Sequence, residues 1–357
     1  MAFHGLKAAT TYGYANARVK AMQSRLLLKG TIRDLINTRD ASGMLSLLMS
    51  TEYKEDIEAF GGMKVKRAQI DFALSKNLAK NVVKLVELTP SGQKPLIRDI
   101  VGRWDISNIK LAIEAKARGM RFEDVSSSII DAGVYGAKAV REFMSSQGVE
   151  ELLERMLINS PYRAMLSNAL QVYRKTGSIV ETEMAIDRSY YAAMGQVIKE
   201  LSILSPESAR VLRMDMDMKN ILLLIRAKHY GADFQGIAQN IVAYGSIGIG
   251  ELEAVYNGSK DLDSLVRAIK VFDLAKALEV YKSTGSKQLL TFEIAMRNQI
   301  FNKGVELLSG STLSFGSIMT YFYLKEIEVF TLRIAINGLR YGLEKNEILG
   351  MMVWKAE

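Results

Sequence analysis

Few residues in this chain have both the type and the spacing to do chemistry. An Asp-x-x-Asn pair stands at Asp105/Asn108 and again at Asp217/Asn220. Residues three apart share a helix face, so each pair would present a carboxylate beside an amide. That combination can serve acid–base catalysis, hold a cation, or tie down a neighbouring segment by hydrogen bonds. Duplication favours the last use. The matching positions of a third copy hold Glu328 and Thr331, and a structural contact tolerates such drift better than a reacting centre does. The other candidates are weak. His4 and His229 stand without partners, and an isolated histidine is ordinarily a surface residue. No HExxH, CxxC or GxSxG pattern occurs. Gly258-Ser-Lys260 and Thr284-Gly-Ser-Lys287 lack the upstream glycine of a phosphate loop, and the GSIGIG run at 245–250 follows no strand. The expectation is no catalytic residue, no cofactor and no metal.

The elements that position these pairs are repeated. At an offset of 112, Asp105, Asn108, Ile109, Leu111, Ile113, Ala115, Lys116, Gly119 and Phe122 recur, as do Ile129, Gly133 and Gly136, giving 12 identities in 32 positions. Chance would give roughly 2 at ordinary residue usage. A second register, at an offset of 108, matches 166–178 (LSNALQVYRKTGS) with 274–286 (LAKALEVYKSTGS). Tyr53 is a fainter trace of the same pattern in the first copy. Three units of about 110 residues follow, with boundaries near Gln147 and Asn257: 1–147, 148–257 and 258–357.

Apolar spacing predicts helices nearly throughout and no sheet. Ala15, Val19, Met22 and Leu26 share a helical face, with Gly30 as a stop and Thr31/Asp34 as a capping pair for the next helix. Pro161 divides the 149–174 stretch into two helices. Thr89-Pro90 and Ser205-Pro206 carry the signal of a capping hydroxyl followed by a first-turn proline, and Ser309-Gly310-Ser311 marks the same break in the third copy. Lys116 and Lys228 fall near helix C-termini, where a cation suits the helix dipole. The fold class expected is all-α: three homologous helical bundles.

Composition narrows the function further. Apolar residues make up 48% and charged residues 24% of the chain, which is ordinary for a globular protein with a real core. The longest aliphatic run, Ile221–Ile225, is far short of the ~20 residues of a membrane span, and the first residues show no signal-peptide pattern. Cysteine is absent, which excludes disulfides and thiol chemistry and fits a reducing compartment. The net charge of +8 is interleaved with acids, and the densest cluster (Lys64, Lys66, Arg67) is short. A solvated mixed-charge surface is the reading, with no nucleic acid as partner. The eighteen methionines read as adaptable core filler.

The segment Tyr12-Gly-Tyr14-Ala-Asn16-Ala-Arg18-Val-Lys20-Ala-Met-Gln-Ser-Arg25-Leu-Leu resembles the N-terminal signature of one family. That family is the C subunit of the archaeal-type (A-type) and bacterial V-type ATP synthases, which is the d subunit in the vacuolar ATPase. Its pattern is close to Y-x-Y-A-N-A-R-V-[KR]-A-M-x-S-x-L-L. The repeated D-x-x-N-I element with its K-x-x-G turn also looks like the family, and the likeness covers essentially the whole chain. Thr331 departs from the pattern where asparagine is expected.

The resemblance implies a funnel of three helical domains around a pseudo-threefold axis. It implies one copy per complex, peripheral on the cytoplasmic face of the cell membrane and seated on the proteolipid rotor ring. It further implies a grip on the D and F subunits of the central shaft, and torque transmission during ion translocation without catalysis. Tyr12, Tyr14, Asn16, Arg18 and Arg25 would then be structural signature residues. Apolar loop tips at Tyr135, Ile247 and Ile249 are the candidates for a partner-binding rim. The alternative is a helical-repeat scaffold binding protein or nucleic acid in a concave face, although such arrays have periods of about 34 to 47 residues.

Overall fold

The computed structural model describes residues 2–27, 29–38, 40–59, 67–283, 289–310 and 312–352. Lys64, Lys66, Ser311 and the 284–287 segment lie outside them. All regular structure among the described residues is helical. First come α1 (Ala2–Gln23), the short helices α2 (Lys29–Asn37), α3 (Ala41–Leu48) and α4 (Lys54–Glu58), and the long α5 (Arg67–Leu88). Next are α6 (Lys94–Val101), α7 (Arg103–Ala117), α8 (Phe122–Val125), α9 (Ala137–Met144), α10 (Val149–Leu157), α11 (Arg163–Thr176) and the long α12 (Ile179–Leu204). The series recurs as α13 (Pro206–Tyr230), α14 (Phe234–Ala238), α15 (Ile249–Gly258), α16 (Leu262–Ala268), α17 (Ala275–Ser283) and α18 (Leu290–Ser309). Then follow α19 (Phe315–Arg340) and α20 (Lys345–Met351).

One packing rule recurs three times. The helix that carries the repeated acid packs along the long helix that closes the next short-helix run: α7 on α12, α13 on α18 and α19 on α5. The third pairing is between the two ends of the chain, and α2 and α3 also lie against α19 while α2 touches α20. Leu35, Met44, Leu48 and Ile57 of α2–α4 share one buried core with Phe315, Phe322, Leu332 and Ile336 of α19. A separate core around Ile109, Ile113, Leu152, Leu153 and Leu166 holds α7 to α9–α11. Full burial of each such side chain contributes about 1.5–3 kcal/mol, which makes the long-range seam as firm as the local one.

The three acid-bearing helices also end alike. Gly119, Gly231 and Gly342 adopt φ of 66°, 73° and 68°, a conformation that costs glycine little. Past each of them a backbone N–H reaches back to close the helix: Met120 to the Ala115 carbonyl (2.9 Å), Ala232 to Ala227 (2.9 Å) and Leu343 to Gly338 (3.0 Å).

Some local signals resolve differently from the sequence reading. Gly30 is no stop, and Thr31 is no cap: both lie inside α2. The first helix ends earlier, at Gln23, where Ser24 bonds back to the Ala21 carbonyl (3.0 Å) and the Leu27 N–H is taken by Glu328. Pro206 is the first residue of α13. Thr89, by contrast, donates its hydroxyl back to the Leu85 carbonyl (2.8 Å), and a short 3-10 turn separates Pro90 from α6. The third break survives between Ser309 and Phe315. Gln147 falls in the turn between α9 and α10, and Asn257 falls in the last turn of α15.

Candidate functional site: a charged cavity between the long helices

Each Asp–Asn pair pins the loop that follows its helix. Asp105 accepts the N–H groups of Val134 (3.0 Å) and Tyr135 (2.7 Å) and the hydroxyl of Tyr162 (2.7 Å). Asn108 donates to the carbonyls of Ile130 (2.8 Å) and Tyr135 (2.9 Å) and accepts the Ile130 N–H (3.2 Å). In the second copy Asp217 accepts the N–H groups of Ser246 (2.9 Å) and Ile247 (3.2 Å), while Asn220 exchanges both bonds with the Val242 backbone (2.9 and 2.7 Å). Gly133 and Gly245 recur because the loop backbone lies against these carboxylates. A Cβ there would stand 2.2 Å from Asp105 Oδ1 or 2.3 Å from Asp217 Oδ1. Lys116 and Lys228 do more than offset a dipole. Lys116 donates to the Ser146 carbonyl (2.7 Å), and Lys228 to those of Tyr256 and Ser259 (both 3.0 Å).

The third copy performs the same task with different chemistry. Glu328 accepts the Leu27 N–H, the Tyr53 hydroxyl (2.6 Å) and the Lys325 ammonium (2.7 Å). Lys325 also pairs with Glu52 and approaches the Tyr53 hydroxyl (3.0 Å). The Lys325 and Glu328 side chains are each 1% exposed. Burial, then the Glu328 charge, holds the Tyr53 phenol far above its ordinary pKa. The loop pinned here is the connection after α1, so the two ends of the chain are joined by a buried charge cluster. Thr331, in the asparagine position, has its hydroxyl oxygen buried without a partner.

Two residues before each repeated acid stand Arg103, Asp215 and Glu326, and two residues after stand Ser107, Lys219 and Phe330. All six line one cavity of about 380 Å³. So do the residues one before and one after: Trp104, Met216 and Ile327, and Ile106, Met218 and Val329. The same four register positions of α7, α13 and α19 therefore face a common space, walled further by Asp187, Tyr190 and Tyr191 of α12 and by Arg297 and Ile300 of α18. Arg103 is paired with Glu326 and stacks over Phe322 at 4.8 Å. Burial acts to lower the Arg103 pKa, but Glu326, Tyr323 and Asp215 raise it on balance, so the guanidinium stays charged. Burial pushes the carboxyls of Asp215 and Glu326 upward. Lys110 pairs with Asp187 at 2.7 Å, and Arg297 pairs with Glu293 at 2.8 Å. Among the described residues no cluster of three His, Asp or Glu side chains is placed to hold a metal ion.

The signature residues divide by helix face. Tyr12 is buried with α1 against α5 and α19, and Asn16 is half-buried with its amide oxygen unpartnered. Tyr14, Arg18 and Arg25 are exposed. Of the residues expected at a rim, Tyr135 is not available: it is 4% exposed and donates its hydroxyl to the Met156 carbonyl at 2.7 Å. An aromatic ring with a reachable acceptor folds inward. Ile247 is half-buried and Ile249 is 55% exposed. His229 lies beside the Tyr281 hydroxyl at 2.9 Å. The cavity residues went unremarked in the sequence because the copies differ there in charge. Their signal was position, at fixed steps from the repeated acid.

Comparison with known proteins matches residues 15–351 to the family ATP synthase (C/AC39) subunit. The C subunit of the A-type ATP synthase of Thermoplasma volcanium is 27% identical over 96% of this chain and 98% of its own length. The proteins of the same name from Thermococcus onnurineus and Methanocaldococcus jannaschii are 27% and 25% identical, over 95% and 96% of this chain and 89% and 86% of theirs. The match runs from within α1 through α20, and it shows that this chain belongs to the ATP synthase (C/AC39) subunit family.

Proposed function

We propose that this chain is the passive coupling piece of the central stalk. As a member of its family it is a non-catalytic subunit of an ATP synthase complex. In the finer reading, one copy sits at the cytoplasmic face of the membrane on the proteolipid ring, receives the foot of the shaft made by the D and F subunits, and carries torque between them. The observation that carries this reading is the cavity with the same four register positions of three helices around it. That is how a socket on an approximate three-way axis would be lined, and such a socket can hold a shaft end-on while its outer rim meets a ring. Each unit is then one acid-bearing helix, its pinned loop, a run of short helices and a returning long helix. The unit headed by α19 is completed by α2–α5. The domain limits drawn at Gln147 and Asn257 fall inside these units and give way to limits at the long helices.

Other features are compatible with a peripheral seat. No described helix is long and apolar enough to cross a membrane. A basic surface is attracted to an anionic leaflet by about 1 kcal/mol per Lys or Arg close to it, and the chain carries +8. Purification of the tagged chain from detergent-solubilised membranes tests the reading. Ring and shaft subunits are expected in the eluate in fixed ratio with one copy of this chain. Recovery from soluble extracts alone, with neither set of subunits, would refute it.

A further inference from the structure

We infer that Lys219 is the keying residue of the cavity and takes a carboxylate from an acidic segment at the tip of the inserted shaft. This rests on the reading of the cavity as the shaft's seat. Three observations point to it. First, Lys219 is exposed into the cavity and makes no hydrogen bond or ion pair among the described residues. The acids around it are already engaged: Asp187 with Lys110, Glu293 with Arg297, and Asp215, one turn earlier on α13, with the Tyr323 hydroxyl at 3.2 Å. Second, burial foremost, then Arg297 and more weakly Lys110, push the Lys219 ammonium below the ordinary lysine pKa against the opposing pull of Asp187 and Glu293. A positive group held among positive groups, with the nearby carboxylates committed, has an incoming anion as its complement.

Third, the equivalent positions on the other two helices are Ser107 and Phe330. Three related places around one space therefore offer a hydroxyl, an ammonium and an aromatic ring. A guest that carried one carboxylate would meet Lys219 in a single rotational setting. In the other two settings it would face a hydroxyl beside Lys110 or a ring beneath Arg297, cations already paired with Asp187 and Glu293, and would gain less for its desolvation. The divergence of this position thus converts a nearly three-way socket into one with a single register. A side-chain-bearing segment suits the space better than a small ion does, because apolar Trp104, Met194, Ile300 and Val329 share the lining with the charges and need apolar contact from the same guest.

Zero-length carbodiimide coupling in the assembled complex tests this, since it joins a lysine to a carboxylate only where the two already touch. The expected product, identified by mass spectrometry, is an amide between Lys219 and an Asp or Glu of a shaft subunit. Lys219→Arg, which keeps the charge but cannot be coupled, should bind the shaft normally and lose the product. Lys219→Glu should weaken shaft binding on the order of tenfold or more without changing the melting temperature of the isolated chain. An intact complex in which Lys219 couples only to Asp187, Asp215 or Glu293, or to a ring subunit, overturns the inference while leaving the socket reading standing. A melting temperature that rises with inorganic phosphate in the isolated chain, and fails to rise in Lys219→Ala, assigns the site to a free anion and also overturns it. Failure of the shaft subunits to associate at all refutes the socket reading itself.

Discussion

The charge cluster that joins the ends of the chain should be worth several kilocalories, and Glu328→Gln isolates it. Three donors converge on Glu328: the Leu27 N–H, the Tyr53 hydroxyl and the Lys325 ammonium. Glutamine keeps one acceptor oxygen but turns an NH2 donor toward them, so at least one donor is orphaned, at about 1–3 kcal/mol. Lys325, 1% exposed, also loses one of its two carboxylates and keeps only Glu52. Breaking a buried pair typically costs about 3–5 kcal/mol. The two losses overlap, so about 3–5 kcal/mol in total is expected. Urea unfolding followed by helical circular dichroism measures the total. Amide hydrogen exchange at Leu27 locates it, because that proton should lose protection before those of α13 or α18. The double variant Glu328→Gln/Lys325→Met should recover much of the loss, since removing both charges spares the desolvation that a lone ammonium suffers. A loss under about 0.5 kcal/mol, unchanged exchange at Leu27, or a double variant no better than the single would show that the cluster does not hold the seam.

Two further outcomes follow from the same geometry. Gly245→Ala should cost about 2–4 kcal/mol by forcing the Asp217 carboxylate off the N–H groups of Ser246 and Ile247. Gly248→Ala, where nothing lies within 4 Å, should be nearly neutral, and thermal melting of the pair separates close approach from backbone freedom. Asp215→Asn should raise the melting temperature of the isolated chain at neutral pH. The Asp215 pKa is raised in the folded protein by burial, so its favourable contribution is complete below the unfolded value of about 3.9 and is lost as pH rises through the folded value. The advantage of the variant should therefore shrink as the pH falls toward about 4, and an advantage independent of pH would refute the assignment.

What could be read from the sequence was what local chemistry controls. Helical content, the break at Pro161 and the start of α13 at Pro206 follow from spacing and from a missing N–H. The Asp–Asn pairs stood out because they recurred, and their hydrogen bonds go to the following loops. The end of α1 was not legible, because the group that captures Leu27 is 301 residues away. The rim assigned to Tyr135 failed for a similar reason: its acceptor, the Met156 carbonyl, belongs to another helix. Lys325 and Glu328 look like an ordinary solvated helix pair by spacing, and it is the packing of α1, α2, α3 and α5 on α19, with Glu52 and Tyr53 laid against the pair, that buries them. The cavity was hidden by its own divergence, since Arg103, Asp215 and Glu326 share a position and not a residue type.

The seam between α19 and the α2–α5 segment imposes an order on synthesis. Leu27 leaves the ribosome 301 residues before the carboxylate that will hold it. The apolar faces of α2–α5 must wait, uncovered, until α19 emerges, while α7–α12 and α13–α18 can each collapse on neighbours already made. What is translated first is thus finished last, and loop closure over so long a separation is slow. During that interval the nascent chain presents greasy helices to any holdase within reach. Shortening the polypeptide at either extremity then damages one and the same unit, and a permuted gene that starts at α6 and joins α20 to α1 through a linker would let that unit fold as it is made.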